Sequence, residues 1–136
     1  MPDLKPELSN KNKYWLPKHR YYELKHYCLQ YPEWKRLYSS LEFKMEVDQS
    51  GIRASEPGKP TEKYAIIRAE CKKAMELVER CCKDATPELW RWLLKAVTQG
   101  ASFVQLQCKD EIPCGKDMYY DCYRRFFYIL SQKRGI

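Results

Sequence analysis

The residues of this 136-residue chain that could do chemistry lie mainly near the start of its last predicted helix. Six charged or phenolic side chains fall there away from the apolar stripe: Lys116, Asp117, Tyr120, Tyr123, Arg124 and Arg125. Lysine, arginine and tyrosine side chains contact DNA phosphates, and arginines and carboxylates also contact base edges. Lys18 and Arg20 add cations upstream, beside His19. Together these residues predict a surface that binds double-stranded DNA.

The charge balance favours the same kind of partner. The chain carries 25 Lys and Arg against 18 Asp and Glu, a net charge of +7, and its pI is about 9.0. Lys11–Tyr38 alone holds seven basic residues and two glutamates. Clustered positive charge of this size indicates a polyanion, most simply nucleic acid.

Cysteine is the other reactive residue type, but its pattern does not predict a metal site. The count is odd, no CxxC spacing occurs, and both histidines lie far upstream of most cysteines. Structural zinc sites need closely spaced ligand pairs. We therefore expect reduced, metal-free thiols that pack as small hydrophobic groups: Cys28, Cys71, Cys81, Cys82, Cys108, Cys114 and Cys122.

Enzyme motifs are missing from the sequence. It contains no GxxxxGK[ST], GxGxxG or HExxH. The acidic set Glu42, Glu46 and Asp48 runs into a turn-rich stretch and reads as a solvated face. We expect no catalytic residues, no cofactor and no enzymatic activity.

The elements that must position the DNA-contacting residues are all predicted to be helices. Apolar spacing indicates two helical pieces in Tyr14–Glu46, broken at Pro32, and a long helix from Thr61. Thr86 and Pro87 are typical of the start of another helix, which Gly100 ends. Three parts follow: a basic, aromatic-rich helical region at 1–46, a linker at 47–60 with Gly and Pro, and a helical domain at 61–136.

The end of the chain has the layout of a helix-turn-helix. Ser102 and Gln105 match a capping box that opens a short helix running to about Lys109. A turn follows at Asp110–Pro113, and its apolar residue, Ile112, should be buried. Lys116–Gln132 then forms a long helix whose core-facing stripe is predicted to be Met118, Cys122, Phe126 and Ile129, flanked by Tyr119, Phe127 and Leu130. The outward side of its first turns would enter the major groove.

Three stretches of this region also resemble a family. They are Val97–Gly100, Ile112–Tyr120 and Arg124–Leu130. Over about Thr61–Gly135 the chain is similar to small phage and prophage proteins of Gram-positive bacteria, the RinA/ArpU-type late-gene activators, and more distantly to region 4 of sigma factors. The resemblance implies an aromatic- and arginine-rich recognition helix at the end of the chain, and a phage transcriptional regulator that acts in the cytoplasm of a bacterial host.

Other interpretations remain open at this stage. The aromatic face of Tyr14–Tyr38 could bind a host protein, such as RNA polymerase, while the terminal hairpin is only scaffold. A small terminase-like packaging factor is a weaker alternative. A homodimer is compatible with any of these, and no apolar run is long enough to predict a membrane span.

Overall fold

The computed structural model describes residues 13–50 and 60–135, and all regular structure in them is α-helical. Six helices follow one another in these ranges: α1 (Lys18–Cys28), α2 (Tyr31–Ser50), α3 (Pro60–Ala85), α4 (Trp90–Gln99), α5 (Phe103–Asp110) and α6 (Lys116–Arg134). The prediction of an all-α protein is confirmed.

Pro32 marks the predicted break near the start of α2. Proline is tolerated in the first turn of a helix, where its missing amide proton has no partner to lose. Helix α2 continues to Ser50, so the first residues of the predicted linker are helical. They precede Gly51 and contain no helix-breaking residue. Pro60, the last residue of the predicted linker, begins α3, and 51–59 lie outside the described residues.

The described residues fall into two compact units. The terminal unit holds 13–30 and 77–135, and the middle unit holds 31–50 and 60–76. This division differs from the predicted one, in which 1–46 was a region separate from 61–136. The reason is that α1 packs against α6 and α4, which places it in the core that the end of the chain builds.

The core of the terminal unit is drawn from all of its helices. Seven of its larger side chains have at most 1% of their surface exposed: Tyr21 and Leu24 of α1, Leu93 of α4, Leu106 of α5, and Phe126, Phe127 and Leu130 of α6. Burying a side chain of this size stabilises a fold by about 1.5–3 kcal/mol. The end of α3 adds Val78, Cys81 and Cys82, none of which is exposed.

The middle unit joins α2 to the first part of α3. The guanidinium of Arg68 lies 4.2 Å from the centre of the Tyr38 ring and donates to the Tyr38 hydroxyl at 2.9 Å. The same guanidinium pairs with the Glu42 carboxylate at 3.1 Å. Leu41 and Cys71 are the buried apolar residues of this unit. Glu42 is therefore an ion-pair partner of Arg68 within the middle unit.

Helix α4 begins later than predicted. The Thr86 hydroxyl accepts the Leu89 amide at 3.3 Å, as an N-cap side chain does, but 87–89 form a turn and the regular helix starts at Trp90. Gly100 ends α4 with a φ of 72°, in the left-handed region that glycine enters most easily. That prediction is confirmed.

Most of the cysteines pack inside the helices. Cys28, Cys71, Cys81, Cys82 and Cys122 are buried, Cys114 is half-buried and Cys108 is exposed. Burial raises the pKa of Cys81 to about 11, and it also raises the pKa of Cys28 and Cys82. A buried thiol in apolar surroundings stays protonated and unreactive at neutral pH. In the described ranges no group of His, Cys, Asp or Glu side chains is arranged to hold a metal ion.

Candidate nucleic-acid interface

Helix α5 begins at the predicted capping box. The Ser102 hydroxyl accepts the Gln105 amide at 3.2 Å, and the Gln105 side-chain oxygen accepts the Ser102 amide at 2.9 Å. The two bonds satisfy two donors that the first turn of a helix leaves unpaired. They fix where α5 begins.

The turn after α5 is fixed by the backbone conformation of Glu111 and by a hydrogen bond of the next residue. Glu111 adopts a φ of 47°, which reverses the chain, and the Ile112 amide donates to the Leu106 carbonyl at 3.2 Å. The Ile112 side chain is 6% exposed, so its predicted burial is confirmed.

Helix α4 holds the end of α5 in place. The Trp92 indole donates to the Asp110 carbonyl at 2.9 Å, and Lys95 pairs with the Asp110 carboxylate at 2.8 Å. The direction in which α6 leaves the turn is therefore set by packing and hydrogen bonds on the preceding helices.

Helix α6 starts with two exposed charged residues. Gly115 precedes it in extended conformation, and Lys116 and Asp117 both lie in the first turn with exposed side chains. A carboxylate in the first turn is favoured by the partial positive charge at a helix N-terminus. The structure thus presents the predicted pair to solvent, one cation beside one anion.

The buried face of α6 is rotated from the predicted stripe. Met118 is 52% exposed and Ile129 is half-buried, although both were predicted to face the core. The other predicted core residues are buried, and Tyr120 is buried with them: Cys122, Phe126, Tyr119, Phe127 and Leu130. Phe103 of α5 packs on Tyr119 with ring centres 5.3 Å apart, and Tyr21 of α1 packs on Phe127 at 5.2 Å. These aromatic contacts decide which face turns inward.

Two of the tyrosines predicted to contact DNA pack into the core of the terminal unit. Tyr120 is only 9% exposed and belongs to a cluster of rings. Tyr123 is half-buried, and its hydroxyl shares a hydrogen bond of 2.8 Å with the hydroxyl of Tyr21. Both tyrosines join helices of the core.

Arg125 and Arg20 form hydrogen bonds and ion pairs within the protein. The Arg125 guanidinium donates to the Ala85 carbonyl at 2.7 Å and to the Tyr14 hydroxyl at 3.1 Å, and it pairs with Asp121 at 3.0 Å. Arg20 pairs with Glu23 and bonds the hydroxyl and carbonyl of Ser131 and the carbonyl of Gly135. Their positions are explained by intramolecular contacts.

Three of the basic residues predicted to contact DNA have no acidic partner in the described ranges. Lys18 and Lys116 are exposed, and Arg124 is half-buried. Within 13–50 and 60–135 none of the three makes an ion pair, and the Nε atom of Arg124 is buried without a hydrogen-bond partner. The sequence could not separate these residues from Arg20 and Arg125, because all five are basic and lie on polar helix faces.

Sequence reasoning missed a second cationic area. A groove with a volume of about 460 Å³ lies along α1 and the end of α6, lined by Tyr22, Glu23, His26, Tyr27, Gln30 and Arg134. In α1 the lining residues form two neighbouring pairs, Tyr22 with Glu23 and His26 with Tyr27, four positions apart, a spacing that places them on one helix face. Nothing local in the sequence indicates that Arg134 joins them, because it comes 106 positions after the end of α1.

No helix in the described part of the chain combines the length and the apolar character that crossing a membrane requires. Comparison of the chain with models of protein families, with curated proteins and with solved structures gives no match.

Proposed function

We propose that this protein binds double-stranded DNA through α5, the following turn and α6, and acts as a transcriptional regulator of the phage type, without catalysis. One observation carries the proposal. The first turn of α6 is exposed, although the helix behind it is locked into an aromatic core. A recognition helix needs this combination, since its N-terminal residues meet base edges while its inner face fixes its direction.

The charge distribution supports the same proposal. The described part of the terminal unit contains 14 of the 25 Lys and Arg residues and only eight of the 18 Asp and Glu residues. Nearly all of the net positive charge is therefore in the unit that contains α5 and α6. Neutralising phosphates with such cations releases counterions and supplies most of non-specific DNA affinity.

The available cations fall into two proposed roles. Lys116 is at the exposed start of α6, where a side chain of a recognition helix contacts a base edge or a neighbouring phosphate. Arg124 and Lys18 bind backbone phosphates. Asp117 accepts a hydrogen bond from a cytosine amino group, the contact that carboxylates make in the major groove.

A protein partner is the second candidate, and exposed apolar side chains favour it. Val104 of α5 is 60% exposed and Met118 of α6 is 52% exposed. Methionine is overrepresented in protein interfaces. The aromatic face of Tyr14–Tyr38 is less suitable as a protein interface along α1, because Tyr21 is fully buried there. A host protein such as RNA polymerase would then dock on the terminal unit, and binding would depend only weakly on salt.

Selection from a random duplex library with the full chain, followed by binding measurements, tests the proposal. Lys116→Ala and Arg124→Ala should each weaken duplex binding, by about 1–3 kcal/mol at one base position for a base contact, or uniformly with a salt slope lower by about one for a phosphate contact. Lys72→Ala in the middle unit removes the same charge from an exposed position and is the matched control.

Two outcomes would contradict DNA recognition by this surface. One is that no sequence is enriched and all variants bind duplex as the original chain does. The other is that Lys72→Ala weakens binding as much as Lys116→Ala, since a net-charge effect would then explain the affinity. An enriched palindrome would in addition show that the protein binds as a dimer.

A further inference from the structure

We infer that the groove along α1 and the last turn of α6 binds one unpaired nucleotide of a single-stranded nucleic acid. The groove contains a cation, two tyrosine rings and polar side chains within one compact unit. Its volume of about 460 Å³ is in the range of small-ligand sites.

The cation of the groove, Arg134, is held in place by a neighbouring ring. The guanidinium of Arg134 lies 3.9 Å from the centre of the Tyr27 ring. In the described ranges its N–H groups make no hydrogen bond and no ion pair, whereas the adjacent Lys133 is paired with Asp84 at 3.3 Å. A planar guanidinium held on a ring keeps a fork of donors that matches phosphate oxygens.

The charge of the groove suits an anion. Its carboxylate, Glu23, is paired with Arg20, which lies outside the lining. Arg134 is thus left without an acidic partner in the groove. His26 is exposed there and adds a ring that donates or accepts hydrogen bonds. A phosphate is the anion that this arrangement would bind.

The aromatic lining selects a nucleotide over phosphate alone. Tyr22 is half-buried, with its ring centre 5.2 Å from that of Tyr21, so its position is supported from the core. Base–tyrosine stacking does not depend on sequence and needs an unpaired base. Gln30 offers an amide that can donate to or accept from a base edge. The groove is largely open to solvent, as a site for one unit of a strand must be.

This site is independent of the proposed recognition surface. Helix α6 has 19 residues, and at about 1.5 Å per residue its two ends are roughly 27 Å apart. Lys116 is at one end and Arg134 at the other. A duplex contact by Lys116 therefore neither requires nor excludes a single strand at the groove.

Binding of labelled eight-nucleotide single strands to the full chain, followed by fluorescence anisotropy, tests the inference. Arg134→Gln should weaken binding about tenfold, in line with losing a charge-assisted contact to phosphate. Arg80→Gln, which removes the same charge from an exposed position on α3 outside the lining of the groove, should leave affinity within about twofold, as expected for a solvent-screened surface charge.

A second pair of measurements separates stacking from charge. Tyr22→Leu should weaken binding of the normal strand about tenfold, in the range of base–aromatic stacking, and should have no effect on a strand that lacks its bases. Thermal unfolding of each variant shows that the fold is kept.

Three results would overturn the inference: equal losses for Arg134→Gln and Arg80→Gln, equal affinity for strands with and without bases, or displacement of the strand by an acidic peptide at the same concentration as by unlabelled oligonucleotide. Lys116→Ala should lower duplex affinity and leave single-strand affinity unchanged. Failure of the groove and failure of duplex recognition are therefore visible in different measurements.

Discussion

Basic side chains of the same type have different roles in this protein. Arg124 and Arg125 are adjacent in α6, yet Arg125 bonds the Ala85 carbonyl and the Tyr14 hydroxyl, whereas the Nε atom of Arg124 is buried without a hydrogen-bond partner. The difference arises because neighbouring residues on a helix point about 100° apart. The carbonyl that Arg125 bonds belongs to Ala85, at the end of α3, which is far from α6 in the sequence. A local sequence pattern therefore cannot tell which of the two arginines is bonded within the protein.

Arg125→Ala should destabilise the protein by about 1–3 kcal/mol, because hydrogen bonds that involve a charged group are lost and the Ala85 carbonyl loses its partner. Lys116→Ala should change the free energy of unfolding by only about 0.5 kcal/mol, as exposed substitutions usually do. Urea unfolding of the two variants checks this. Equal stabilities would show that the Arg125 contacts contribute nothing.

The pKa of the Cys81 thiol, raised by burial to about 11, predicts a pH dependence of stability. The folded state favours the neutral thiol, so its contribution is complete below the unfolded pKa of about 8.5 and is lost as pH rises towards 11. Between pH 8.5 and 10.5 the unfolding free energy of the original chain should therefore fall more steeply than that of Cys81→Ala. Cys108→Ala, at an exposed position, is the control and should follow the original chain.

At the scale of elements, the start and end signals of helices were more predictable than their faces. Ser102, Gln105 and Gly100 act through bonds within a few residues, and the structure has them as predicted. The inward face of α6 depends on where Phe103 and Tyr21 lie, which no local spacing contains. The candidate site followed the same rule: exposure of Lys116 near the helix start was predictable, whereas burial of Tyr120 was not.

The rotated face of α6 gives a direct comparison of two predicted core residues. Phe126→Ala should cost about 3–5 kcal/mol, since removing a fully buried ring leaves a cavity. Met118→Ala should cost no more than about 0.5 kcal/mol, because its side chain is mostly in solvent. Thermal or urea unfolding distinguishes the two faces. A large loss of unfolding free energy for Met118→Ala would instead show that Met118 faces the core, as its spacing predicts.

At the scale of the whole molecule, the terminal unit is discontinuous in sequence. Its first helix, α1, contributes Tyr21, Leu24 and Cys28, together with Leu16 before it, to a core built mostly from residues after 77. The predicted division into 1–46 and 61–136 treated closeness along the chain as closeness in space. The composition of each segment could not show that the two ends pack together.

A chain that starts at Thr61 should therefore not fold as an independent domain. Without α1, the Phe127 ring loses its contact with Tyr21, and the buried side chains of α6 become exposed to water. We expect this fragment to lose cooperative thermal unfolding and to bind a dye for exposed apolar surface. Adding a peptide that spans 13–30 should restore part of the transition. Cooperative unfolding of the fragment alone, at the temperature of the full chain, would contradict this expectation.

The contacts of Arg20 with Ser131 and Gly135 also constrain when this protein can fold during its synthesis. The side chain bonds partners 111 and 115 positions later in the chain. A ribosome makes about 5–20 residues per second, so α1 has to wait several seconds for the last turn of α6 to be translated. During that interval the Tyr21 ring lacks the Phe127 ring of α6, on which it packs in the folded protein. The terminal unit can be completed only after the last turn of α6 has been synthesised, so the first helix of the unit depends on its last one.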